Sequence, residues 1–249
     1  FGFYASVKSK QDEEVKTKSS TTKRDVGSKF KSRSGSVSFD AGKTLTMKGV
    51  DIESENGNIN FSAQNYDIQA AETTVETSQG ETKNSLTTML GSTSAVENSI
   101  PIPTYSNSNS SSKSSSKTYQ NAKIKAGKGK ITFGSKGTGV DVLMAGVEVD
   151  GEEVDMTQID GDITLESKQN TYTSSSKQNS YSVGNAMGTS DQSNTHDRKW
   201  VDNQSRINGT KKVAINGNKM KLVGSQISNV DKDGVDQGNL EINVAKIET

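Results

Sequence analysis

Hydrophobic positions along this chain come in short alternating runs. Val37 and Phe39, Leu45 and Met47, Val50 and Ile52, Ile59 and Phe61, and Tyr66 and Ile68 each lie two apart, with polar residues between them and Gly or Asn at the breaks. Period two over four or five residues is the pattern of a strand with one buried face. One phrase occurs three times: Gly57-Asn58-Ile59-Asn60-Phe61, Gly161-Asp162-Ile163-Thr164-Leu165 and Gly238-Asn239-Leu240-Glu241-Ile242. Each copy is a turn followed by two large apolar residues. Recurrence of a turn-plus-strand unit predicts a stacked architecture in which each coil buries its apolar face against the next.

The spacing sharpens this. Val37 to Ile59 and Phe39 to Phe61 are both 22 residues apart, so stacked coils would place them in vertical register, about 4.8 Å apart. In a second block Ile131 and Phe133, Val140 and Val142, and Val147 and Val149 lead to Ile163 and Leu165. Ile131 is expected over Ile163, 32 residues on, with the excess of 10 in an acidic bulge over 151–160. A third block has Val213 over Leu240, 27 residues on, with an excess of 5 near 231–234. Solenoids tolerate insertions in turns while strands keep their order.

Between these blocks lie polar excursions. Ser106 to Lys117 is almost entirely Ser, Asn and Lys, which cannot build a core. Its flanks alternate like strands, so the excursions read as β-hairpin arms with mobile tips. The expected organisation is a returning limb of a preceding arm over 1–35, coils over 36–70, a Ser-rich arm over 71–121, coils over 122–167, a polar arm over 168–208 and coils over 209–249. The fold class is all-β, a parallel β-helix (solenoid) with extra-helical polar hairpins and a ladder core open at both ends.

Composition agrees with a thin core. Apolar residues make up 29% of the chain, and the 23 Gly raise this to about 38%, below the roughly 45–50% of an ordinary globular domain. Net charge is +0, which gives a nucleic-acid partner no support. The charge is uneven, however: 1–36 is rich in Lys and Arg, and 137–167 carries nine acids and no Lys or Arg. These blocks are solvated faces or contacts between successive pieces of a longer fibre. The absence of Cys excludes a disulfide framework and thiol chemistry. Phe1-Gly2-Phe3-Tyr4 is no signal peptide, and the chain reads as a piece of something larger.

Phe39 to Ser54, followed by Gly57 to Asn65, resembles the haemagglutinin repeat of filamentous haemagglutinins and contact-dependent growth inhibition exoproteins. Ile215 to Ile227 is similar. The resemblance implies a right-handed parallel β-helix inside a large two-partner-secreted surface protein of a Gram-negative bacterium. It also implies partners: an outer-membrane transporter, the surface or outer membrane of a neighbouring cell, and further coils of the same chain. Adhesin members use such repeats as shaft and binding surface. Growth-inhibition members use them in carrying a C-terminal toxin. The chain has no Asn-Pro-Asn-Gly secretion motif, and Val96-Glu97-Asn98-Ser99 is one residue short of the tag that precedes such toxins.

Candidate chemistry is sparse. A polysaccharide-cleaving or polysaccharide-binding β-helix is the alternative, and its site would need clustered acids with a nearby cation. Asp150, Glu152, Glu153, Asp155 and Asp160 offer the acids, without a neighbouring Arg in sequence. Asp231-Lys232-Asp233-Gly234-Val235-Asp236 resembles the start of a calcium loop, but the twelfth position is Ile242 rather than Glu. Gly127-Lys128-Gly129-Lys130 lacks phosphate-loop spacing. His196 is the sole His, so no His-based metal cluster is expected. Tyr172, Tyr181 and Trp200 could form an aromatic tip for a partner. The expectation is therefore a non-enzymatic segment with no catalytic residue, metal or cofactor.

Overall fold

The computed structural model describes residues 6–91, 102–184 and 187–249. The described residues form strands and turns without a helix. β1 (Ser6–Arg24) leads into β2 (Lys29–Ser32), β3 (Val37–Asp40) and β4 (Thr44–Lys48), followed by β5 (Asp51–Ser54), β6 (Ile59–Ala63) and β7 (Asn65–Gln69). β8 (Ala71–Gly91) and β9 (Ile102–Gln120) come next, then β10 (Ala122–Ala126), β11 (Lys130–Ser135), β12 (Val142–Ala145), β13 (Val147–Met156) and β14 (Asp162–Glu166). β15 (Asn170–Val183) and β16 (Gly188–Trp200) precede β17 (Arg206–Val223), β18 (Gln226–Ser228) and β19 (Leu240–Glu248).

These strands divide into two units. Fourteen make one parallel sheet, within a unit covering Lys23–Thr73, Lys117–Asn170 and Lys199–Thr249. The chain visits three ladders in order and repeats the circuit six times. The first ladder stacks Phe30, Ile52, Ile124, Val149, Ile207 and Ile227. The second stacks Val37, Ile59, Ile131, Val154, Val213 and Leu240. The third stacks Leu45, Tyr66, Val142, Ile163, Met220 and Ile247. Circuits one to six thus span 29–48, 51–69, 122–145, 147–166, 206–223 and 226–248.

The core follows from this register. Phe39, Phe61 and Phe133 stack with ring centroids 5.5 and 4.9 Å apart. Phe30 and Tyr66 meet the ends of that stack edge-on, the geometry that ring quadrupoles favour. The Tyr66 hydroxyl donates to the Gly134 carbonyl at 2.5 Å, and burial pushes its pKa up to about 12. Ile52, Ile59, Ile68, Ile124, Ile131 and Met144 are fully buried around it.

Two expectations about register are overturned. Ile131 does not stack on Ile163: it pairs with Ile59 and Val154, whereas Ile163 pairs with Val142 and Met220. The phrase at 161–165 opens the third side of its circuit, while the copies at 57–61 and 238–242 open the second. Residues 151–160 are accordingly no inserted bulge. β13 carries Val154 and Met156 into the core, and only Thr157 to Gly161 turns. The limb expected over 1–35 also ends early, because Lys29–Ser32 pairs with Asp51–Ser54 in the first ladder.

The other unit is a five-stranded sheet in the order β1-β8-β9-β15-β16. Side-chain pairs run in opposite senses along neighbours: Asp12 with Ser85 and Thr17 with Gly80, then Thr77 with Ser114 and Asn84 with Asn107. Its neighbours are therefore antiparallel. The Ser-rich segment at 106–117 is an ordered strand, bonded on both sides at the centre of this sheet. The tip expected in the first excursion, 92–101, lies outside the described residues.

Excursions always occur at the same corner, where the third side hands over to the first. Circuits one, three and five turn there through Gly49, Gly146 and Gly224, with φ of 61, 71 and 57°. A Cβ on Gly49 or Gly146 would also come within 2.6 Å of a neighbouring Ala Cβ, so both conformation and space require glycine. Circuits two and four run out at this corner into β8 and β15. Buried polar residues seal the departures. Ser205 Oγ accepts the N–H groups of Gly146 and Val147 at 2.9 and 3.0 Å and donates to the Glu166 carbonyl at 2.5 Å. Asn170 Oδ1 accepts the Tyr119 N–H at 2.7 Å.

Two substitutions test this account by chemical denaturation. Phe61→Ala, which empties the middle of the ring stack, should cost about 3–5 kcal/mol. Ser205→Ala takes the hydroxyl acceptor from the buried Val147 N–H, while the Gly146 N–H keeps the Glu166 carbonyl at 2.8 Å, and should cost about 1–3 kcal/mol. An exposed control, Lys43→Ala, should change little.

Candidate interaction surfaces

In-register parallel stacking places each outward side chain over its counterpart in the next circuit. The first circuit carries five Lys or Arg and one acid; the second carries four acids and no cation. The third again has five cations and one acid, the fourth eight acids and no cation, the fifth five cations and no acid, and the sixth five acids and two Lys. Sign therefore alternates from circuit to circuit. On the first ladder Lys29, Asp51, Lys123, Glu148 and Arg206 follow one another, as do Lys31, Glu53, Lys125 and Asp150.

The alternation produces ion pairs between neighbouring circuits. Lys29 meets Asp51 at 2.9 Å, Lys31 meets Glu53 and Glu55 at 3.1 and 3.0 Å, and Lys130 meets Asp155 at 2.5 Å. Arg206 holds Asp150 at 2.7 Å, Lys211 holds Glu152 at 2.7 Å, and Lys212 holds Glu241 at 3.0 Å. The lone acids of the basic circuits are also engaged: Asp40 pairs with Lys136, and Asp141 accepts the Asp162 N–H.

This geometry accounts for the acidic segment considered above as a catalytic candidate. Asp150, Glu152 and Asp155 bind cations of neighbouring circuits, Glu153 faces Lys130 and Lys212 in register, and Asp160 accepts the Val140 N–H at 2.8 Å. Among the described residues no group of three or more His, Asp or Glu is placed to hold a metal ion. In the loop at 231–236, Asp231 accepts the N–H groups of Asp233 and Val235, both at 2.9 Å, as in a turn capped by its first side chain.

The five-stranded sheet offers a different surface. Its central strand carries mostly Ser, and its neighbours carry longer side chains. The result is a groove of about 600 Å³ walled by Gln79, Gln178 and Asn194 and floored by Ser110, Ser112 and Ser176. Amides and hydroxyls line it together with Lys16, Lys18, Glu81 and Lys177, so it can exchange hydrogen bonds with a polar ligand. Tyr172 borders an adjoining groove with Ser174 and Ser176. Tyr181 lies nine residues along the same strand, and this odd separation puts it on the opposite sheet face. The structure therefore does not bring the two tyrosines into one tip. Trp200 ends β16, and its indole N–H donates to Asp202 at 2.9 Å. His196 lies exposed on β16.

A family model described as the hemagglutinin repeat matches residues 6–183 of the 249. Neither the curated proteins nor the solved structures provide a match.

The charge alternation predicts a stability plateau in pH. Lys219 and Lys246 bring the Glu248 carboxyl down to about 2, and Lys31 lowers that of Glu55. Backbone N–H groups lower Asp160; burial raises Asp155, but its bonds from Lys130 and Thr157 outweigh it. The unfolded chain would take up protons first, near 3.8 to 4.5. These contributions are therefore complete above that range and lost as pH falls towards 2. Lys31, Lys48 and Lys219 are raised above 10.5 by their acids, so their contributions are lost as pH rises beyond it. Melting temperature should stay flat between about pH 5 and 10 and fall on both sides, and 1 M salt should lower it at neutral pH.

Proposed function

Because this chain belongs to the hemagglutinin-repeat family, we propose that it is a non-enzymatic structural and adhesive segment of a large secreted bacterial surface protein. Its circuits are the coils of a right-handed parallel β-helix. The hand follows the rule for parallel strand connections. Each coil adds about 4.8 Å of length at the cost of some twenty residues, an economical way to span distance. The observation that carries this reading is the repeating plan of two apolar-cored circuits and one polar hairpin. A shaft built from the first and a hydrogen-bonding surface built from the second serve reach and contact respectively.

The setting in which this works is the surface of a Gram-negative bacterium, reached through an outer-membrane transporter of the two-partner kind. There the segment mediates cell–cell contact and, in a growth-inhibition parent, helps carry a C-terminal toxin to the neighbouring cell. The polar groove on the five-stranded sheet favours a second reading in which the segment binds polysaccharide. Cleavage is a poorer fit, because the clustered acids are already paired.

The purified protein should co-sediment saturably with intact Gram-negative cells. Combined replacement of Gln79, Tyr172 and Gln178 by Ala should weaken that binding severalfold at unchanged melting temperature. No saturable binding to a panel of bacterial and host cells would remove the adhesive role. Release of unsaturated sugars from a polysaccharide would replace it with a lyase.

A further inference from the structure

Strand parity parts Tyr181 from Tyr172 and gives it another aromatic neighbour. Between β8 and β9, Asn84 Oδ1 accepts the Asn107 amide at 2.6 Å, and the Thr87 carbonyl accepts the Thr104 hydroxyl at 3.1 Å. This register sets Leu86 opposite Tyr105. Between β9 and β15, Gly184 lies against Thr104, and Asn109 and Ser111 share a groove with Lys177 and Asn179. Tyr105 is thereby opposite Val183, and Asn107 opposite Tyr181. These residues share one face of the sheet, the reverse of the face that carries Gln79 and Gln178. Tyr105 and Tyr181 are diagonal neighbours on it, about 7–8 Å apart.

Two kinds of group meet there. The apolar ones are exposed, Leu86 by 42% and Tyr105 and Tyr181 by 39% each. The polar ones are amides. Asn109 donates to Asn107 at 3.1 Å, Asn107 donates to Asn84, and the Tyr105 hydroxyl reaches Asn84 at 3.4 Å. These bonds fix the amides and one ring before any ligand arrives, which lowers the ordering cost of binding. Among the described residues the Asn179 amide and the Tyr181 hydroxyl have no hydrogen-bond partner. Glu13 and Lys177, of opposite sign, border the patch, so it favours neither an anion nor a cation.

A matching ligand presents apolar faces to the rings and neutral polar groups around them. A lipid tail has only the first, and an acidic polymer would find little positive charge. A pyranose has both, with C–H groups on its faces and hydroxyls at its rim. We propose that this face binds a neutral glycan, with Tyr105 and Tyr181 stacked on its sugars and Asn107 and Asn179 exchanging hydrogen bonds with the hydroxyls. Two rings on a flat sheet suit a chain of sugars better than a single one. The inference deepens the polysaccharide-binding reading and rests on it, but it places the contact on the other side of the sheet.

Calorimetric titration of the full chain with chitohexaose, cellohexaose, maltohexaose and heparin tests it. At least one of the three neutral hexasaccharides should bind, and heparin should not. Tyr105→Ala and Tyr181→Ala should each weaken that binding about tenfold, the scale of one lost aromatic contact, with the melting temperature unchanged. Tyr105→Phe and Tyr181→Phe should keep most of the affinity, and Lys43→Ala should keep all of it. If one alanine variant misfolds, the other carries the comparison. Binding that survives both tyrosine replacements but is lost on combined replacement of Gln79, Tyr172 and Gln178 would overturn this site and leave the polysaccharide reading standing. No binding to any of the neutral hexasaccharides would overturn the site and count against that reading as well. Binding to heparin alone, or to phosphatidylethanolamine–phosphatidylglycerol vesicles in place of the sugars, would also overturn the proposal.

Discussion

Everything in this molecule depends on in-register parallel pairing between one circuit of chain and the next. At a strand spacing of about 4.8 Å, each side chain sits on its counterpart from the circuit before. For apolar side chains this is favourable, and the three ladders from Phe30, Val37 and Leu45 are the core. For charged side chains the same register is a hazard, because a repeat copied faithfully would stack like on like. Alternating sign removes the hazard. It also opposes slippage, since a circuit displaced onto the next but one would meet its own sign.

Two features share a period of two circuits: the sign of the charge, and the way the chain turns the corner between the third and first sides. Charge returns to its sign every second circuit. The glycine corner at Gly49, Gly146 and Gly224 recurs in every second circuit. A hairpin leaves from every second circuit. The unit of repetition is thus a basic circuit, an acidic circuit and a hairpin. Each repeat adds two strands to each ladder of the circuits and two strands to the antiparallel sheet. The six circuits together carry 17 cations and 19 acids, and the residues outside them bring the chain to its net charge of +0.

The sequence made parts of this legible and hid others for physical reasons. Val37 over Ile59, Phe39 over Phe61 and Val213 over Leu240 follow from apolar spacing alone, because no excursion intervenes and apolar alternation is strong. Ile131 over Ile163 failed because Gly-Asp-Ile-Thr-Leu opens a different side from its two look-alikes, so a shared phrase was not a shared phase. Val154 and Met156 were obscured by the acids around them, which are outward residues of a buried strand. Lys29–Ser32 held only one apolar residue, Phe30, too few to reveal periodicity. The charge blocks stood out, but their alternation did not, since the excursions separate circuits that are adjacent in space. The tyrosines of β15 were grouped by composition and are parted by strand parity.

The serine-rich strand shows what composition cannot report. Ser106 to Ser116 can bury nothing and would pay the full entropy of ordering if left alone. Here its backbone bonds to a neighbour on each side, and its chain emerges directly from strands of the circuits. Anchoring both ends of each hairpin at one corner removes much of the loop-closure cost before any arm strand pairs. The buried hydroxyl of Ser205 and amide of Asn170 hold those departure points through bonds to backbone groups.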